Sequence, residues 1–154
     1  MQVVEAALGA AAGEAIFEVG HGTTNRVAAS AEHVARSRRV PIRTAASLFE
    51  QEKPPEFAKV DVEGYELEVL RGALPLIEQR RPAVWLLEAN GSGDRYGASW
   101  PVLRQWLESH GARLQAYDPA RRLLLDYDSN EPPGNVLAVF DPGFVAARIG
   151  SPYS

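Results

Sequence analysis

Three carboxylates stand where a chain can do proton or cation chemistry: Asp61, Glu63 and Glu88. Asp61 lies near the end of the short β-rich run 57–62, and Glu63 follows just ahead of Gly64. Glu88 closes the continuous apolar run 83–87, Ala-Val-Trp-Leu-Leu. In an open α/β sheet, ligands bind beyond the carboxyl ends of the strands, so acids placed there meet them. One such carboxylate can take the proton from a hydroxyl. A pair or triad can instead hold a divalent cation through oxygen. A third reading needs no ligand: acids at a helix start stabilise it by about 0.3–1 kcal/mol. Residue type and spacing leave all three open. Lys59 reads as a structural ion-pair partner. His21, His33 and His110 lack any spacing that suggests a metal site, and Trp85 and Trp106 read as core.

The elements that must position these acids follow from periodicity. Residues 57–62 form a strand that is apolar apart from Lys59 and Asp61. After Gly64, Leu67, Leu70, Leu74 and Ile77 recur at steps of three and four, the apolar stripe of a helix. Gly72 and Pro75 interrupt that helix, so residues 65–71 and 74–79 are expected as two short segments. The unbroken apolar runs 83–87 and 136–140 predict strands buried on both faces, as in a mainly parallel sheet. Ser99 is expected to cap a helix carrying Pro101 in its first turn, with Gly111 as its stop. Residues 113–117 and 122–126 predict a strand pair around Asp118-Pro119.

Upstream, residues 2–8 and 15–19 read as strands, and 40–43 as an edge strand interrupted by Pro41. Residues 44–50 begin a short helix, with Leu48 and Phe49 inward. Residues 20–25 form a glycine-bearing loop, either a substrate contact or plain surface. The cluster Arg36, Arg38 and Arg39 either holds an anion or is a solvated face. The tail 141–154 reads as a short helical or loose end.

The run Lys59-Val60-Asp61-Val62-Glu63-Gly64, then Glu66, then Val69-Leu70-Arg71-Gly72-Ala73, resembles the signature of FkbM-type methyltransferases. Arg81-Pro82-Ala83-Val84 through Leu87-Glu88 resembles that family's next strand. Asn135-Val136-Leu137 resembles its last, and residues 4–9 with Gly13 the strand and turn that open its second half. The resemblance implies a Rossmann-like class I methyltransferase sheet, incomplete because its first strands are not represented, with an antiparallel strand pair at the C-terminus. It implies S-adenosylmethionine as methyl donor and O-methylation of a sugar, polyketide or related small molecule. Asp61, Glu63 and Glu88 become the catalytic candidates, with a divalent metal possible. Ala7 and Leu8 become cofactor contacts beside the adenine.

Two departures stand out. The family's glycine-rich turn after its first strand and the acid ending its second are not found in this sequence. Thr44-Ala45-Ala46 stands where the family usually reads Thr-Leu-Asp. The expectation is therefore a C-terminal portion of the domain, inactive alone, as either a truncated record or a natural remnant. Its exposed sheet edge would invite self-association. Two rivals stay open: a non-catalytic interaction module derived from the fold, and a metal- or nucleotide-binding α/β domain using the Asp61/Glu63 turn.

Composition bounds these readings. At 154 residues the chain is a single domain, long enough for a core. A net charge of −4 argues against a partner held through phosphates, so no nucleic acid is expected. No cysteine is present, which removes disulfides and thiolate metal sites and fits a cytoplasmic setting. No apolar run approaches the roughly 20 residues a membrane span needs.

Overall fold

The computed structural model describes residues 3–19, 25–28 and 36–149. Its centre is a five-stranded sheet. β5 (Phe57–Val60), β6 (Val84–Ala89), β7 (Arg113–Asp118), β8 (Leu123–Asp126) and β9 (Gly134–Val139) lie in the order β5-β6-β9-β7-β8. β5 and β6 pair in parallel, whereas β6/β9, β9/β7 and β7/β8 pair antiparallel. β5, β6 and β7 therefore run one way, and β9 is inserted between β6 and β7 running the other. The expected mainly parallel sheet is corrected: among the neighbouring strands described in this sheet, only β5/β6 is parallel. Unbroken apolar runs report burial on both faces, and a central antiparallel strand such as β9 meets that condition too.

The register sets the acids. Lys59 lies beside Leu86 and Val60 beside Leu87, so one step on, residue 61 leaves the sheet beside residue 88. The β5 strand stops at Val60, short of the expected Val62, because the chain turns there: the Tyr65 N–H donates to the Val62 carbonyl. α1 (Glu66–Arg71) follows, then α2 (Leu74–Glu78) with Pro75 in its first turn, as the Gly72/Pro75 interruption predicts. α3 (Trp100–Ser109) packs with them. Leu67, Leu70, Ile77, Leu103 and Leu107 close over Val60, Trp85, Leu87, Val136 and Ala138 in one core. On the other face α4 (Pro142–Ile149) lays Phe144 and Val145 on Val84, Leu124, Leu137 and Val139. Ser99 occupies the N-cap position of α3, but its side chain makes no capping bond there.

A second sheet holds β1 (Ala7–Leu8), β2 (Gly13–Glu18), β3 (Arg26–Val27) and β4 (Ser37–Arg43) in the order β1-β4-β2-β3. The expected strand over 2–8 is only the two residues of β1. The strand of Pro41 is longer than expected and lies inside the sheet, between β1 and β2. Pro41 is tolerated because the β1 ladder reaches only Ile42 and Arg43, leaving Pro41 without a partner on that side. Leu48 and Phe49, expected inward, sit half-buried on a 3₁₀ turn. The two sheets meet at a pair of glycines: a Cβ on Gly72 would strike the Gly9 carbonyl, and the Gly72 carbonyl accepts the Ala46 N–H at 3.1 Å. The loop over 20–24 lies outside the described residues.

Candidate active site

Carboxylate oxygens of Asp61, Glu63 and Glu88 lie within 4.8 Å of one another. The structure thus brings the three predicted acids to one sheet edge. Asp61 and Glu88 arrive through the parallel register. Glu63 arrives by a different route, a left-handed turn. Its φ is 55°, and Gly64 follows at φ 101°, a region that Glu rarely visits. Gly64 is required there twice over, since a Cβ would also strike the Ser92 carbonyl. Glu66 holds this turn: its carboxylate, 4% exposed, accepts the Gly64 N–H at 3.0 Å. Burial pushes the Glu66 carboxyl up, and the backbone N–H groups it accepts oppose that shift.

The electrostatics of the cluster are asymmetric. Lys59 Nζ donates to Asp61 Oδ2 at 2.7 Å, the structural ion pair expected of it. That bond, then a hydrogen bond with Glu88, holds the Asp61 carboxyl below its ordinary value. Glu88 is pushed the other way, first by sharing a hydrogen bond with Asp61, then by burial and the charges of Asp61 and Glu63. Asn90 Nδ2, at 3.4 Å from Glu88 Oε1, opposes the shift. The two carboxyls are thus pushed apart, Asp61 toward the ionised form and Glu88 toward the protonated one. Lys59 offsets part of the cluster's charge, and a divalent cation at Asp61 Oδ2 would have to displace it.

Ala7 and Leu8 join Asp61 in one cleft of about 310 Å³ between the two sheets, with Phe17, Val62 and Tyr65 among its walls. Glu63 and Glu88 lie outside that lining. The residues expected beside a cofactor and the acid expected to act on an acceptor therefore share a space. Tyr65 was not singled out from the sequence, although it directly follows Gly64 in the motif. Its ring meets that of Tyr96 edge to face, with centroids 5.1 Å apart. The Tyr96 hydroxyl donates to the Val27 carbonyl at 2.6 Å, tying β3 to the large sheet. Burial, then the charge of Glu68, raises the Tyr65 phenol.

Other sequence candidates do not join the site. Arg38 and Arg39 pair with Glu5 and Glu14 at 4.0 and 3.5 Å with all four side chains largely exposed, which is the solvated-face reading. Trp85 is core, and Trp106 half-buried, stacked on His110. His21 and His33 lie outside the described residues.

No curated protein and no solved structure matches the chain. The methyltransferase FkbM domain matches residues 2–114, which takes in β1, the Asp61/Glu63 turn and Glu88 but stops short of the strand at Asn135-Val136-Leu137. The signature around Gly64 is therefore no isolated likeness, and the chain belongs to the FkbM methyltransferase family.

Proposed function

We propose that this domain O-methylates a hydroxyl of a small molecule, with Asp61 taking the hydroxyl proton. The observation that carries the reading is the shared cleft: Asp61, Ala7 and Leu8 line one space. S-adenosylmethionine, when bound, supplies an electrophilic methyl on a sulfonium. The chain's own residues hold the acceptor hydroxyl at the strand end and remove its proton as the oxygen gains the methyl. Asp61 is placed for this at the strand end, and its carboxylate keeps lone pairs beyond the bond from Lys59. Glu63 and Glu88 set the field around it, and Ala7 and Leu8 wall the cofactor's adenine.

The fit to the cofactor is partial. The cleft offers an apolar wall and a carboxylate, and a carboxylate favours a sulfonium. At the strand-to-helix turn, however, the space a Cβ would take at Gly64 is filled by Ser92, and at Gly93 by Ala98. These glycines pack protein against protein and leave no open cradle for a ligand. This supports the second-half reading of a Rossmann-like sheet, as do three co-directional strands with one reversed strand among them. On it, the 154 residues alone bind the cofactor negligibly and turn nothing over. Calorimetry finding micromolar binding to a soluble monomer would overturn that part.

β5 is an edge strand with Phe57 52% exposed, which supports self-association through that edge. No helix among the described residues is long and apolar enough to cross a membrane, which with the lack of cysteine supports a cytoplasmic setting.

The decisive experiment is Asp61→Asn and Glu63→Gln in a form of the domain that turns over. Loss of about 10²-fold or more in methyl transfer is expected where the residue is base or metal ligand. Near-native turnover in both would return these acids to helix-start electrostatics, and would favour a non-catalytic module. A second reading, a divalent cation held by Asp61, Glu63 and Glu88, draws on their convergence within 4.8 Å. A rate that follows added Mg²⁺ and collapses with a chelator would favour it.

A further inference from the structure

Glu66 is the buried acid to which the proposed chemistry gives no part. It opens α1 and is 4% exposed, a place where an apolar side chain of similar size would avoid the burial of a charge. Its partners are backbone N–H groups. Gly64 donates to Oε1 at 3.0 Å, and the N–H groups of Val62 and of Glu66 itself also favour the charged form. All three lie where the chain passes from β5 into α1, so the carboxylate gathers that turn around itself.

The turn needs such a hold. Glu63 at φ 55° stands in a region that side chains bearing a Cβ disfavour. In that conformation its carboxylate meets those of Asp61 and Glu88 within 4.8 Å. The turn also meshes with the loop after β6, because Gly64 lies flat against the Ser92 carbonyl, where a Cβ would collide. From there the Ser92 N–H donates to Asn90 Oδ1 at 3.0 Å, and Asn90 Nδ2 donates to Glu88 Oε1 at 3.4 Å. Glu66 and Glu88 line one small hollow of about 10 Å³ between turn and loop. We propose that Glu66 is the positioning residue of the acid site: through the Gly64 N–H it sets Glu63, and through Gly64, Ser92 and Asn90 it sets Glu88 against Asp61. This rests on the reading above for what the acids are for. An apolar side chain in its place would fill the space but leave the N–H groups without an acceptor and release the turn.

The test is the backbone at Glu63 in the chain as it stands, followed by NMR in wild type, Glu66→Gln, Glu66→Leu and Glu66→Asp. At positive φ the amide proton and Hα of one residue nearly eclipse, so Glu63 should show an intense NOE between them. Helical and extended residues give a weaker one. Glu66→Gln keeps an acceptor for Gly64 and should keep that signature. Glu66→Leu should lose it, exchange the Gly64 amide about tenfold faster, and move the Asn90 and Ser92 signals. Should Glu66→Leu melt well below wild type, Glu66→Asp decides: it keeps the charge but is one methylene too short for Gly64, so it should lose the signature too. A left-handed Glu63 in the folded leucine or aspartate variant overturns the proposal, as does its loss in a folded glutamine variant. Asn90 and Ser92 signals that hold still while Glu63 changes would overturn the part that concerns Glu88. Each of these failures leaves Asp61 as base untouched, whereas undiminished turnover in Asp61→Asn sinks the methyl-transfer reading and leaves the geometry around Glu66 standing.

Discussion

Two hollows of the molecule differ in kind, and the roomier of this pair is the poorer candidate for chemistry. A groove of about 490 Å³ lies on the α4 face of the large sheet, walled by Phe57, Val84, Leu124, Val139, Phe144 and Val145. Its charged residues, Glu56 and Arg148, satisfy each other at 2.7 Å. Apart from that pair and Tyr117, its lining is apolar. The cleft of about 310 Å³ between the sheets is smaller, yet it combines apolar walls with the Asp61 carboxylate. Binding sites pair a mostly apolar wall with a few placed polar groups, because the wall supplies affinity and the polar groups orientation. The difference lies in topology. The cleft opens at the carboxyl end of β5, where the chain leaves the sheet through a turn that exposes acids. The groove opens on a sheet face, where alternation keeps apolar residues facing one way.

Stability should separate the hollows most sharply. Leu70 is fully buried under α1, between that helix and the sheet. Leu70→Ala should cost about 4 kcal/mol, since close packing leaves the site little room to collapse, and should loosen the turn that carries Glu63 and Tyr65. Leu124 lies beside the groove, with open space along one side. Leu124→Ala should cost nearer about 2 kcal/mol, because the groove already forgoes part of the packing. Urea titrations of the two variants measure the contrast. Equal costs would mean that the groove is closed in solution.

Turnover should separate them in the opposite sense. Asp61→Asn should lower methyl transfer by about 10²-fold, equivalent to about 2.7 kcal/mol of barrier, with little change in stability. Phe144→Ala, in the groove, should reduce stability and leave the rate per folded molecule unchanged. Rates normalised to the folded fraction decide the point. A groove variant that loses turnover while staying folded would move the site to the other face.

Much of this arrangement was legible in the sequence. Runs 83–87 and 136–140 announce the central strands because burial on both faces demands unbroken apolar character, whereas the run from Phe57 forms an edge strand with Phe57 and Lys59 exposed. The interruption at Gly72 and Pro75 announces two short helices, because proline fits only a first turn. The convergence of Asp61 with Glu88 follows from two strands ending at one edge. What stayed hidden depends on contacts distant in the chain. Glu66 reads as a surface residue until the turn folds over it and removes it from water. The bond from Tyr96 to Val27 spans 69 positions, which no local period can encode. The antiparallel placement of β9 is hidden for the same reason: a strand's own residues report its burial and leave the direction of its neighbours open. The small sheet was misjudged because β1 pairs over only two residues, too few to leave a periodic trace.

The smallest effect expected is the pH response of the Asp61–Glu88 pair, and the two groups pull in opposite directions. Asp61 is held down in the fold, first by the Lys59 hydrogen bond and then by Glu88. Its contribution to stability is present above its unfolded value of about 3.9 and is lost as pH falls through its lower folded value. Glu88 is pushed up, first by its hydrogen bond with Asp61, then by burial and neighbouring charge. Its contribution is fully present below its unfolded value of about 4.3 and is lost as pH rises through its higher folded value. The pair therefore stabilises the fold most in weak acid. Wild type should lose a little stability as pH rises above about 4.3 and through the raised folded value of Glu88, which ionises beside Asp61 and Glu63. Glu88→Gln keeps a donor for Asp61 and adds no charge, so its thermal melts should stay level over that range and lie above wild type at the upper end. Leu124→Ala, far from the acids, should shift the whole profile down without bending it. Parallel profiles for wild type and Glu88→Gln would mean that the two carboxyls share no proton, and Asp61 would then owe its ionised state to Lys59 alone.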